Sequence, residues 1–355
     1  MMHSNRLAAF FAALTGVLYG VTITLAAAAY GHGATTMTVL LLRCGLASVV
    51  LSVIYGIMSI RAACGASRIS DGGANVSDKS DSEADSLGPC GTRAAGPVPA
   101  GDSWVTVAPL PAPPGAASCR RRKVATWLAG SAVAMATFSL CFFQALTMIP
   151  VADCMVIVST YPLVTLALTA MTEPPDQRPG LTTVALHVLG FAGLVLALVG
   201  PSDAEDDQSG GDGSRATGHA LVAVSSIGYA LHAFCNVRLL RLDDSIIASA
   251  AAVNVGQTVI FAIVYATAAV GGGGQHRWGL PSSDDAQGMS YLIPAVVLYT
   301  PAQLASFAAF ALATNASHVT FFINFDSVTA ILLAVVVLGE VPQIKIKIGW
   351  YWYHK

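Results

Sequence analysis

The sequence predicts an all-α membrane protein with about ten transmembrane helices in two inverted five-helix repeats. Three observations predict it: a deficit of charge, a succession of long apolar segments, and a set of landmarks that occurs twice.

The charge deficit comes first. Of 355 residues, 54% are hydrophobic and 11% charged, and the mean hydropathy is +0.64. A soluble domain carries about 25% charged residues, so much of this surface must face lipid. The net charge of −2 offers no footprint for nucleic acid. Basic clusters flank the apolar segments instead, where they set topology.

The apolar segments follow in order. Leu7 to Ala29 comes directly after Arg6. It exceeds a signal-peptide core of about 7–15 residues and meets the roughly 20 residues that a spanning helix needs. Further spans are expected at 35–60, 125–147, 151–171, 181–200, 218–237, 245–270, 289–313 and 316–338. A tenth starts at Ile344 and stops at Lys355. As a helix it rises only about 18 Å against a hydrocarbon core of about 30 Å. Nine complete spans and an incomplete tenth are therefore expected.

Two polar stretches divide the chain. Residues 61–124 are rich in Gly, Ser, Asp and Pro and lack apolar periodicity, which predicts a disordered loop within a first repeat at 1–200. Residues 201–217 form an acidic linker, and 218–355 hold the second repeat. With the N-terminus inside, Arg6, Arg61, Arg68, Lys79, Arg93, Arg120, Arg121, Arg122, Lys123, Arg178, Arg238 and Arg241 fall on the inner side, whereas Arg215, Arg277, Lys345 and Lys347 fall outside. The excess of inner Lys and Arg favours that orientation.

The duplication is the most specific signal. Phe143-Gln144-Ala145-Leu146, Val151-Ala152-Asp153, Tyr161-Pro162-Leu163-Val164 and Glu173 form one series. Phe310-Ala311-Leu312, Ala316-Ser317-His318, Phe325-Asp326-Ser327-Val328 and Leu338-Gly339-Glu340 form the other. Tyr19 to Arg43 and Tyr229 to Val253 cover equal lengths of the earlier helices. Five helices per half is an odd number, so the halves must sit in opposite orientations, a recurring transporter plan.

These blocks resemble the EamA-type drug/metabolite transporter superfamily. The resemblance rests on the Ala-Leu helix ends, Pro162, Glu173, Leu338-Gly339-Glu340 and Arg43 after Leu40-Leu41-Leu42. Ser327 stands where that family usually has proline. The resemblance implies ten helices, movement of small organic solutes, and a cavity lined by the third, fourth, eighth and ninth spans.

Polar residues inside the spans are the candidates for solute binding. A charge at the bilayer centre costs about 2.5–3.5 kcal/mol, so Asp326 and Arg43 each need a reason. An ion pair between Arg43 and an acid would lower both costs, and a solute could replace one partner. Asn324, Gln144, Gln303 and His232 complete the candidate set. Pro162, Glu173 and Glu340 are expected to be structural, with each glutamate paired to an amide or a cation of the following segment, because negative charge at a helix C-terminus opposes the dipole. Asp153 reads as an acid in a first helical turn, and His187 as a packing residue or a proton site.

The seven cysteines are scattered, with no CxxC pair, so no metal site, cofactor or disulfide framework is expected. No P-loop, GxSxG or HExxH motif occurs, and the polar groups form no nucleophile–base pair, so an enzyme is not expected. The expected function is secondary transport of a small organic solute, in a plasma or an internal membrane. The alternatives are a non-transporting or truncated relative acting as a membrane scaffold, and a membrane-embedded enzyme. The expected partners are the solute and the lipid bilayer, with a homodimer as one mode of assembly.

Overall fold

The computed structural model describes residues 2–70, 116–174, 178–198, 212–242, 245–270, 286–313 and 316–339. All regular structure among them is helical. The helices are α1 (Met2–Gly31), α2 (Thr36–Ser70), α3 (Ala116–Ala145), α4 (Val151–Val158), α5 (Tyr161–Thr172), α6 (Leu181–Leu198), α7 (Asp212–Leu240), α8 (Ile246–Val270), α9 (Ala286–Leu312), α10 (Ala316–Ile323) and α11 (Phe325–Leu333), with a π-helical turn at Ala334–Leu338.

Eight segments are long and apolar enough to cross a bilayer, where α4 with α5 counts as one, and α10 with α11 and the π turn as another. The sequence predicts nine complete spans. The difference lies in α6, whose apolar part, Leu181–Gly193, is shorter than a span. Even the full helix of 18 residues rises about 27 Å, just under the hydrocarbon thickness. Phe10, Val49, Leu189, Val270, Leu332 and Val336 are all exposed. Around a bundle of this kind such residues face lipid. This is the architecture of an integral, multi-pass membrane protein.

Three helix boundaries differ from the sequence expectation. The stretch 61–124 is not loop throughout, because α2 continues to Ser70 and α3 starts at Ala116. Likewise α7 begins at Asp212, inside the acidic stretch. Polar residues can extend a helix beyond the membrane, where water satisfies its surface, and hydropathy is blind to that extension. The tenth segment and Glu340 lie outside the described residues.

Packing crosses between the halves. α1 lies against α9, α3 against α7, and α2 against α8. α1 also packs on α10 and α11, while α7 packs on α4 and α5. The glycine pair of α1 sets the closest approach. A Cβ at Gly16 would fall 2.6 Å from the Ile323 carbonyl, and one at Gly20 would fall 2.8 Å from that of Asp326. Small residues let helix backbones approach in this way where no hydrophobic force drives them together. The pair Gly190 and Gly193 behaves differently: Gly190 meets only the Phe321 ring edge, and Gly193 meets nothing.

Both central spans are broken near their middles. Pro162 is the second residue of α5 and has no N–H to offer the Val158 carbonyl one turn back. Ser226 of α7 supplies the missing donor, its hydroxyl lying 3.3 Å from Val158 O. At the other break, within Ala316–Leu333, no proline is present. There the Ser327 N–H is drawn to the Asp326 carboxylate at 2.6 Å as well as to Asn324 O at 3.2 Å, a local competition that interrupts the helical ladder. The two breaks are bonded to each other. Tyr161 donates its hydroxyl to Thr320 O at 3.2 Å, and the Ser327 hydroxyl lies 3.5 Å from Met155 O.

The last described turn ends on Gly339 with φ 65° and ψ 15°. That left-handed conformation costs glycine nothing and strains other residues, which accounts for the Gly of Leu338-Gly339-Glu340.

Candidate functional site

Between the broken helices and α2 lies a cavity lined by Tyr19, Thr22 and Ile23 of α1, Arg43 of α2, Met135, Phe138, Phe142 and Phe143 of α3, Tyr229 of α7, Tyr299 of α9, and Asp326 of α11. Its volume is about 20 Å³, room for one water molecule. The cavity is closed around its polar groups and holds no space for an organic solute.

Arg43 is 3% exposed. Its guanidinium carbon sits 4.3 Å from the Phe143 ring centre and 4.2 Å from that of Tyr299. A desolvated cation–π contact contributes about 2 kcal/mol, so two of them offset the roughly 2.5–3.5 kcal/mol of placing the charge in the membrane. The rings accept none of its N–H bonds. Nη2 donates to Ser139 Oγ at 3.1 Å, and Nε has no hydrogen-bond partner.

Asp326 is 7% exposed. Its Oδ1 accepts from the Ser327 amide at 2.6 Å, with the Ser327 hydroxyl 3.3 Å away. Among the described residues no cation lies within ion-pair distance of its carboxylate. The pairing of Arg43 with an acid expected from sequence is thus not formed. Arg43 and Asp326 face one cavity without touching, and the aromatic walls account for the stability of that arrangement.

The other candidates separate into near and remote. Gln303 lies one turn beyond Tyr299 on α9 and donates to its hydroxyl, while its Oε1 has no partner. It thereby orients a ring that stacks on Arg43. Asn324 flanks the break, its Oδ1 lying 3.3 Å from Ser327 Oγ, and is not part of the cavity wall. Gln144 is remote, contacting Thr147 at the end of α3. His232 is remote too. It belongs to a closed ring in which Ser131 Oγ donates to Asn236 Oδ1 at 2.6 Å, Asn236 Nδ2 lies 2.9 Å from His232 Nε2, and His232 Nδ1 lies 3.0 Å from Ser131 Oγ. That ring satisfies its own polar atoms and locks α3 to α7. His187 similarly ties α6 to α10, with Nδ1 2.8 Å from Thr183 O and Nε2 3.0 Å from Ser317 O.

The cations that meet Glu173 come from α7 and the turn after it rather than from the segment that follows Glu173. Arg238 and Arg241 approach its carboxylate at 3.1 and 3.2 Å, and the neighbouring Arg178 bonds its backbone carbonyl instead. Asp153 occupies the first turn of α4 and pairs with Arg215 at 3.3 Å. Among the described residues no cluster of His, Cys, Asp and Glu could hold a metal.

Sequence reasoning missed the aromatic walls. A signal existed: Tyr19 and Tyr229 head the two segments of equal length that the sequence pairs, and both line the cavity. The lining itself also departs from expectation. The fourth span contributes no side chain to it, whereas α1, α2 and α7 do. A second void of about 860 Å³ lies among α1, α2, α8 and α9. It is walled by apolar groups apart from the Tyr55 hydroxyl, Ser59, Arg120 and Ser245.

No family model matches the chain, and no curated protein matches it. Eight chains of solved structures do match. One of them, titled only the crystal structure of a protein, has a TM-score of 0.54 at 15% identity, covering 94% of this chain and 89% of its own. The likeness is one of fold alone.

Proposed function

We propose that the protein is a secondary transporter that moves a small organic solute across its membrane by alternating access between two inverted five-helix repeats, in the manner of the EamA-type drug/metabolite transporters that its landmarks resemble. One observation carries the reading: two oppositely charged, buried side chains face a single closed cavity between the two halves of the chain. Unpaired ionisable groups inside a membrane are expensive and mark solute or ion pathways.

The helix pairing supports the repeat. α1 on α9 and α3 on α7 exchange with each other when the first and third helices of one half are swapped for those of the other. α2 on α8 maps onto itself. Discontinuous helices at the repeat interface are a recurrent feature of transporters, because a break there exposes backbone groups and allows rocking. In this reading the cavity of about 20 Å³ is the closed state, and opening requires the halves to part.

Uptake into proteoliposomes holding the full chain, run against a panel of small metabolites with empty liposomes as control, tests the reading. Protein-dependent flux of at least one solute is expected. Flux of none, from protein whose fold is verified by circular dichroism, overturns it.

A further inference from the structure

The second void, of about 860 Å³, has a polar end and an apolar end. Ser59 near the end of the second span, Arg120 at the start of the third and Ser245 just before α8 lie at the polar end. In the orientation that the excess of Lys and Arg favours, this end is the inner rim of the membrane. From there the groove runs between apolar walls to Pro301 of α9. Pro301 stands eleven residues before the helix end at Leu312, about 16 Å along the axis. Half of a hydrocarbon core of about 30 Å is about 15 Å, so the groove is one leaflet deep. It is open toward lipid at Leu14 of α1 and at Tyr55 and Met58 of α2, all three exposed.

The rim is basic. Arg120, Arg121, Arg122 and Lys123 are consecutive and all exposed. Arg120 is held at the mouth by two hydrogen bonds to Leu242 O, from Nε at 2.9 Å and from Nη2 at 2.5 Å. A carbonyl fixes a guanidinium in place without cancelling its charge. Against Asp243 and Asp244, which follow Leu242 in the sequence, the four cations still leave an excess of two.

We propose that this groove binds an anionic phospholipid of the inner leaflet, with an acyl chain along the apolar walls and the phosphate headgroup at Arg120. The depth of one leaflet suits an acyl chain, and a basic cluster directly at the end of a span attracts anionic headgroups. A polar solute would find no partners along the walls below the rim. Leu14 and Met58 come from the first five helices, and Ile246 and Leu304 from the later ones, so a lipid seated here touches both parts of the chain. The site stands or falls independently of transport.

The test uses the full chain in phosphatidylcholine vesicles that contain a trace of photoactivatable lipid. Phosphatidylglycerol and phosphatidylcholine carrying the same diazirine acyl chain are compared, and labelled residues are mapped by mass spectrometry. Labelling should concentrate on Leu14, Met58 and Leu304, with about a tenfold preference for phosphatidylglycerol. Ala308→Trp fills the groove and should abolish that labelling while circular dichroism shows an intact fold. If it does not fold, Ser59→Trp at the rim of the same groove takes its place. Because Arg120 also holds Leu242, charge is removed beside it: Arg121→Gln, Arg122→Gln and Lys123→Gln together should bring the two lipids to about parity. Equal labelling by both lipids in the unaltered chain overturns the proposal. So does labelling spread evenly over other exposed apolar residues such as Val49 and Leu189, or no labelling of the groove at all, the result expected if another part of the chain fills it.

Discussion

Tyr161 donates its hydroxyl to the Thr320 carbonyl at 3.2 Å, tying the start of α5 to α10 just before the second break. Both residues are fully buried. Tyr161→Phe keeps the ring packing and removes only this bond, so the cost should be about 0.6–1.7 kcal/mol, the range for such bonds between membrane helices. Thermal denaturation in detergent measures it.

Gly20→Ala places a methyl group 2.6 Å from Thr329 Cβ and 2.8 Å from Asp326 O. Backbone cannot yield as a flexible side chain does, so α11 must move away from α1. A loss of about 1–3 kcal/mol is expected from overpacking, together with reduced flux, since Asp326 moves with α11. Gly45→Ala on α2 is the control, with nothing within 4 Å of the new Cβ. It should be neutral or stabilise by up to about 1 kcal/mol, because alanine is the better helix former.

Glu173→Gln removes the acid that Arg238 and Arg241 share. Glu173 is 7% exposed, but both arginines reach water, which screens part of the loss. Destabilisation on the order of 1–2 kcal/mol is expected. A double-mutant cycle with Arg238→Gln should recover part of it, whereas additive losses would show that the pair contributes no coupling.

His232→Ala leaves Ser131 and Asn236 without their ring partner in a buried interface. The melting temperature should fall, with about 1–3 kcal/mol lost for the stranded polar groups. Solute flux per folded protein should not change, because His232 does not line the cavity. A loss of flux from fully folded protein would place it in the transport machinery after all.

Much of the architecture was legible in one dimension. The spans at 7–29, 35–60 and 245–270 appear as α1, α2 and α8, because lipid requires long apolar runs and satisfied backbone, and that requirement is written residue by residue. The burial of Arg43 and Asp326 could also be expected, since each stands inside such a run. Less visible were the breaks at 159–160 and 324. Hydropathy passes through both without interruption, and each depends on which donor replaces a lost helical bond. Pro162 hints at the first, while nothing local marks the second beyond the short polar side chains of Asn324, Asp326 and Ser327.

Composition and periodicity alone determined that this chain is a bundle of helices long and apolar enough to cross a membrane. Tertiary packing alone decided which polar residues meet. It placed Arg43 between the rings of Phe143 and Tyr299, set Asp326 across the same cavity, and left Gln144 and His232 elsewhere. The physical reason is that a helix periodicity tells which side chains share a face, but not which helix that face meets. Gly16, Gly20 and the crossing of α1 onto α11 settle that by close approach of backbones, a property of pairs of helices rather than of either one.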